Sequence, residues 1–151
     1  MDLSVGVEFM LDISPDLYNE GVIYPQDQRS IDLAFDKELL PYELSPLERG
    51  LFFARERVEI PVGYMGIIGL RSTWARLGLI APTTFARPGW EGHLTLEIFN
   101  ANTANSIAIH EGDVIWEMNI VGAPYEASYE GRYQNQPPAV VLPKALRLLG
   151  F

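Results

Sequence analysis

The densest polar cluster in the sequence is Arg71-Ser72-Thr73-Trp74-Ala75-Arg76. Two guanidiniums, two hydroxyls and free backbone N–H groups at a helix start supply the positive charge and oriented donors that a polyphosphate needs. Paired arginines of the same type also make plain surface ion pairs, and so short a motif leaves both readings open. Glu97 is the second candidate: a carboxylate in mid-strand, between Leu96 and Ile98, suited to activating water and shuttling protons. Alternation allows it equally to be an ordinary outward-facing strand residue. The third candidate is the stretch from Tyr125 to Gln136, YEASYEGRYQNQ, which combines rings, amides and Arg132. It reads either as a flap that closes over a ligand and excludes water, or as a polar loop rich in tyrosine.

Several chemistries are excluded by what the chain lacks. It has no cysteine, which removes disulfides, thiolate catalysis and every Cys-containing zinc site, including the His-x-Glu and Pro-Cys-x-x-Cys signature of zinc nucleobase deaminases. The two histidines, His93 and His110, fall on different predicted strands, so no residue is assigned as a metal ligand and no zinc is expected. Neither a Walker-A sequence nor Gly-x-Gly-x-x-Gly occurs. With 20 acidic against 11 basic residues, a formal charge of −9 repels a phosphodiester backbone, and no nucleic-acid polymer is expected as partner. No apolar run approaches the roughly 18–20 residues of a membrane span, and Met-Asp-Leu-Ser is unlike a signal peptide; the expectation is a cytoplasmic protein with no membrane partner.

The elements that must position these residues are mostly short strands. A chain of 151 residues, 48% hydrophobic and 21% charged, suits a single packed domain over residues 1–151. Its 13 glycines and 11 prolines are spread along the chain rather than gathered in a linker. Arg49 to Ile60 and Tyr64 to Leu70 read as strands, and His93 to Asn100 alternates strictly, with Leu94, Leu96 and Ile98 on one face and His93, Thr95, Glu97 and Phe99 on the other. Ser106 to His110 and Asp113 to Val121 repeat the pattern around a tight turn at Glu111-Gly112. An all-β barrel or sandwich follows. Only Thr73 to Leu77 looks helical, with Ser72 or Thr73 as N-cap and Gly78 as its left-handed stop. Asp12 to Pro46 is mixed, with a possible edge strand from Arg29 to Phe35, and the tail from Ala145 to Phe151 either docks on a neighbour or frays.

Taken in order, these pieces resemble the dCTP deaminase branch of the dUTPase-like superfamily. Arg71-Ser-Thr-Trp-Ala-Arg-Leu-Gly-Leu is similar to that family's Arg-Ser-Ser-x-Ala-Arg-Leu-Gly-Leu. Pro88-Gly-Trp-Glu-Gly and Thr95-Leu-Glu are similar to its Pro-Gly-Phe/Trp-x-Gly and Thr-Leu-Glu segments, and Gly131-Arg-Tyr-Gln-Asn-Gln to its Gly-Lys-Tyr-Gln-x-Gln. Asp2-Leu-Ser-Val-Gly, or alternatively Ser30-Ile-Asp-Leu, corresponds to an early family strand. The resemblance implies a distorted jelly-roll, dUTPase-like β-barrel assembled as a homotrimer with active sites between subunits and a C-terminal flap over about residues 125–151. It implies dCTP or dUTP as substrate. Glu97 would then be the catalytic carboxylate, with Ser72 holding the water; Arg71, Thr73 and Arg76 would bind the triphosphate. Tyr125, Arg132 and Gln136 would complete the pocket, and Mg²⁺ would arrive on the phosphates.

Three departures mark the match. Arg87 stands where the family places an aspartate that binds the sugar hydroxyl or, in dUTPases, activates water. The base-reading segment, with Thr83, Thr84, Phe85 and Arg87, is about two residues shorter than in the deaminases. Ile115-Trp116-Glu117 replaces an Ile-Gly-Gln near the end of the barrel, a change of packing or of pocket shape. Deamination of dCTP to dUTP is the first reading, because Glu97, Ser72 and Arg76 are all present. The alternatives are a dUTP diphosphatase, a bifunctional dCTP deaminase/dUTPase forming dUMP, and a non-catalytic nucleotide-binding regulator.

Overall fold

In the computed structural model, which describes residues 1–13 and 21–147, the chain runs β1 (Asp2–Asp12), α1 (Gln28–Asp32), β2 (Phe35–Leu39), β3 (Tyr42–Leu44), β4 (Arg49–Glu59) and β5 (Tyr64–Leu70). It continues through α2 (Ser72–Arg76), β6 (Leu79–Ile80), β7 (Thr84–Ala86), β8 (Glu91–Asn100), β9 (Ile107–Ile109) and β10 (Val114–Gly122). The main sheet has the order β6-β8-β4-β1-β10-β5-β7, with β2 also on β1 and every pairing antiparallel. Strand β1 is shared between two sides of this curled sheet: Asp2 to Ser4 pair with β10, Glu8 to Asp12 pair with β2, and β4 runs along the opposite edge. β3 and β9 form a separate two-stranded sheet.

Alternation places the core. Leu94, Leu96 and Ile98 of β8 point inward with Phe9, Phe52, Ile68 and Ile115, all buried. Each large apolar side chain removed from water contributes roughly 1.5–3 kcal/mol. Phe9 stacks on Phe52 with centroids 4.5 Å apart and meets Tyr42 edge-on at 4.9 Å. Burial, together with the hydrogen bond to Glu48 at 3.1 Å, pushes the Tyr42 phenol up to about 12, so it remains a donor. Trp116 lies in this core at 1% exposure, so the departure at Ile115-Trp116-Glu117 is one of packing.

The all-β expectation is met, and the local differences have physical causes. The stretch from Arg29 to Phe35 is no edge strand: Asp27 caps a helical turn by accepting from the Arg29 N–H at 3.1 Å, and α1 occupies Gln28–Asp32 before β2 begins. In α2 the cap position belongs to Arg71, with no side-chain capping bond, so Ser72 and Thr73 are inside the turn with exposed side chains. Gly78 does end it at φ +105°. The turn at Glu111-Gly112 forms, with the Asp113 N–H donating to the His110 carbonyl at 3.1 Å, but its two strands join different sheets. The tail docks as far as residue 147, where the Leu146 N–H donates to the Pro25 carbonyl at 2.7 Å; residues 148–151 lie outside the described chain. No helix among the described residues is long and apolar enough to cross a membrane.

Candidate active site

Glu97 occupies the face of β8 opposite the core, half-buried beside Thr95 and in register with Leu51 of β4. It lines a cavity of about 220 Å³ whose other walls include Thr95, Tyr133, Gln136, Val141 and Pro143. A second cavity, of about 230 Å³, is lined by Thr84, Phe85 and Arg87 together with Trp90. Thr95, Tyr133 and Gln136 border both cavities. The mid-strand acid and the segment from Thr84 to Arg87 are therefore neighbours under one part of the C-terminal chain.

That C-terminal chain is held by the Pro88-Gly-Trp-Glu-Gly motif. The Tyr129 N–H donates to the Pro88 carbonyl at 2.8 Å, Gln134 Nε2 to the Gly89 carbonyl at 2.8 Å, and Trp90 Nε1 to the Tyr133 carbonyl at 2.8 Å. The Glu91 N–H donates to Gln134 Oε1 at 2.8 Å, the Asn135 N–H to the Glu91 carbonyl at 2.9 Å, and the His93 N–H to the Gln136 carbonyl at 2.9 Å. Gly92 is required at this junction. Its φ is +138°, and a Cβ there would come within 2.6 Å of the Gln136 backbone nitrogen. Beyond it, the Val141 N–H donates to Thr95 Oγ1 at 3.0 Å, which carries the tail past Glu97.

The remaining predicted residues stand elsewhere. Arg71, Ser72, Thr73 and Arg76 line neither cavity. Their turn is pinned by Trp74, whose Nε1 donates to the Val114 carbonyl at 2.8 Å, and by the pair between Arg71 and Asp2. Arg76 is exposed and makes no ion pair among the described residues. Tyr125 is fully exposed, Thr83 is exposed outside both cavities, and the Arg132 guanidinium donates to the Ala145 carbonyl at 2.8 Å. Arg87 pairs with Glu126 at 3.0 Å, which ties residue 126 to the rim of the second cavity. Among the described residues, no group of three or more His, Asp or Glu is arranged to hold a metal.

A family model described as dCTP deaminase-like matches residues 2–120. The chain belongs to the dCTP deaminase-like family. Within it, the chain is 32% identical to a dCTP deaminase of Pyrobaculum neutrophilum over 152 aligned positions, covering 97% of this chain and 81% of the relative. It is 33% identical to that of Acidianus ambivalens over 148 positions, covering 95% and 80%. Among solved structures, a variant dUTPase of phage phi11 of S. aureus superposes with a TM-score of 0.50 at 23% identity, covering 60% of this chain and 77% of that one. The last likeness is one of fold, and it agrees with the dUTPase-like barrel expected from the motifs.

For a dCTP deaminase-like chain, sequence reasoning missed the platform and the wall. Trp90, Glu91 and Gln134 hold residues 133–134, while Tyr133, Val141, Pro143 and Leu51 line the cavity beside Glu97. A signal existed for Thr95, which shares the outer face of β8 with Glu97 by alternation. The contribution of Val141 and Pro143 has none, because it depends on a pairing 46 residues away in the chain.

Proposed function

We propose that this chain is a cytoplasmic nucleotide-metabolism enzyme that deaminates dCTP to dUTP and ammonia, working as a single dUTPase-like unit over residues 1–151 with a flap from about residue 125. Glu97 takes a proton from water, the resulting hydroxide adds to C4 of the cytosine, the same carboxyl returns the proton to the departing amino group, and the proton left on the C4 oxygen moves to N3 to give the keto form of uracil. Water is consumed and ammonia released, so the charges balance without an external acid or base. A carboxylate enclosed with few competing waters can alternate between these two roles. Ser72 orients the water, and Arg71, Thr73 and Arg76 hold the triphosphate, supplied to this Glu97 by a second subunit of a homotrimer. Tyr125, Arg132 and Gln136 complete the pocket from the flap, and Thr83, Thr84, Phe85 and Arg87 read the base.

Magnesium fits this scheme as a companion of the substrate rather than a resident of the protein. With no His/Asp/Glu cluster suited to a metal among the described residues, the ion would be carried by the phosphate oxygens and would offset their charge. The chain's own residues contribute donors and positive charge around it.

The observation that carries the proposal is the common border of the two cavities: Glu97 lines one, the segment Thr84 to Arg87 lines the other, and Thr95, Tyr133 and Gln136 line both. Arg87 weighs against a dUTPase, since it replaces the carboxylate that would activate water there. Incubation with dCTP or dUTP and Mg²⁺ separates the readings. dUTP plus ammonia from dCTP is expected. dUMP plus pyrophosphate from dUTP marks a diphosphatase, dUMP from dCTP a bifunctional enzyme, and no product from either nucleotide a binding protein. Glu97→Gln should lower deamination by at least about 10²–10⁴-fold with nucleotide affinity nearly unchanged. Normal turnover by that variant would remove Glu97 from the mechanism.

A further inference from the structure

α1 has no part in the mechanism above, yet the far end of the described tail is fastened to it. Gln28 Nε2 donates to the Pro143 carbonyl at 2.9 Å, and the Ala145 N–H donates back to Gln28 Oε1 at 2.8 Å. One side-chain amide thus grips the tail backbone through both its donor and its acceptor. The same Nε2 also donates to Asp32 Oδ1 at 2.9 Å, which fixes the amide's orientation on the helix. The Leu146 N–H to Pro25 carbonyl bond, 2.7 Å, continues the attachment. At the other end Val141 is bonded to Thr95, and between the two anchors Val141 and Pro143 form part of the wall around Glu97.

Residues 141–146 lie outside any strand or helix and are held by single bonds to distant groups: besides those above, the Lys144 N–H donates to the Tyr133 hydroxyl at 3.0 Å and the Arg132 guanidinium to the Ala145 carbonyl at 2.8 Å. In such a segment each hydrogen bond shifts the balance between attached and detached states by only about three- to tenfold, and losing two together is felt. We infer that Gln28 is a positioning residue: its amide clasps Pro143 and Ala145, and so keeps segment 141–146 against the Glu97 cavity while the proton is in transit. This rests on the reading of Glu97 as the acid–base group. Water exclusion acts on the chemical step, and of the substrate-binding residues proposed above only Arg132 bonds this segment, through the Ala145 carbonyl, so kcat depends on the clasp more than KM does.

The test compares wild type, Gln28→Ala and Gln28→Glu in the full chain by amide hydrogen exchange and by dCTP turnover. In Gln28→Ala the amides of residues 141–147 should exchange about tenfold faster and kcat should fall about tenfold, with KM changed by a smaller factor than kcat. Gln28→Glu keeps the acceptor for Ala145 but sets a carboxylate against Asp32 and the Pro143 carbonyl, so at neutral pH it should detach the segment at least as far as Gln28→Ala. This variant also preserves the test if the alanine variant fails to fold. Unchanged exchange in 141–147 would overturn the clasp. Faster exchange with wild-type kcat would leave a purely structural attachment and overturn the positioning role. Wild-type protein that turns over no nucleotide would sink the acid–base reading and the positioning role with it, while the exchange rates would still decide the clasp.

Discussion

Arg71 and Arg76 sit at the two ends of one helical turn, yet their surroundings divide their duties. Arg71 is engaged by Asp2 of β1, so part of its charge is spent on fastening the turn to the sheet. Arg76 is exposed, and no carboxylate pairs with it among the described residues. A guanidinium in that condition is available to a phosphate, and charge-assisted contacts are among the stronger polar ones. Arg76→Ala should therefore weaken dCTP binding about tenfold, with the melting temperature unchanged, as measured by calorimetric titration on a Glu97→Gln background where turnover does not intervene. Equal affinity for both proteins would take Arg76 out of the triphosphate site. The types of these residues, and of Glu97, were legible in the sequence because a charged side chain in an apolar strand or a basic knot in an acidic chain stands out locally. Their partners were not, since Asp2 is 69 positions from Arg71.

At the level of elements, the motif Pro88-Gly-Trp-Glu-Gly is a platform for residues 129–136, and Gly92 is a point of close approach between the two backbones. An alanine there meets both a φ of +138° and the Gln136 nitrogen, a strain of roughly 1–3 kcal/mol. Gly92→Ala should release the flap: trypsin should cut after Arg132 faster, and the melting temperature should drop by about 2–8 °C. Unchanged proteolysis would mean that the bonds from Trp90 and Glu91 suffice without close approach at Gly92. Strand β8 itself was readable, because period-two alternation is a local property that the core then enforces through Leu94, Leu96 and Ile98. α1 was not: the run from Arg29 to Phe35 carries strand-like alternation, and a single carboxylate at Asp27 tips it into a helical turn. The C-terminal tail was equally opaque, because it has no period at all and takes its course from Thr95 and Gln28, residues distant in sequence.

On the scale of the whole molecule, one chain holds two parts of the proposed chemistry that line no common cavity. Glu97, Gln136 and the segment Thr84 to Arg87 border adjoining spaces, whereas Ser72 and its neighbours line neither. If the acid and the hydroxyl turn serve the same nucleotide, the turn must come from another copy, as closed cyclic assemblies permit. Mixed oligomers test this directly. Glu97→Gln and Ser72→Ala should each be nearly inactive alone. When the two are co-expressed and randomly mixed, a site that draws its acid from one subunit and its turn from the next is intact when both donors are of the right kind, in about a quarter of cases. Deamination should then rise to roughly that fraction of wild type, and fall again when the pure variants are compared at the same total concentration. If mixing restores nothing although the oligomers exchange subunits, acid and turn belong either to one subunit or to separate functions, and the shared site fails.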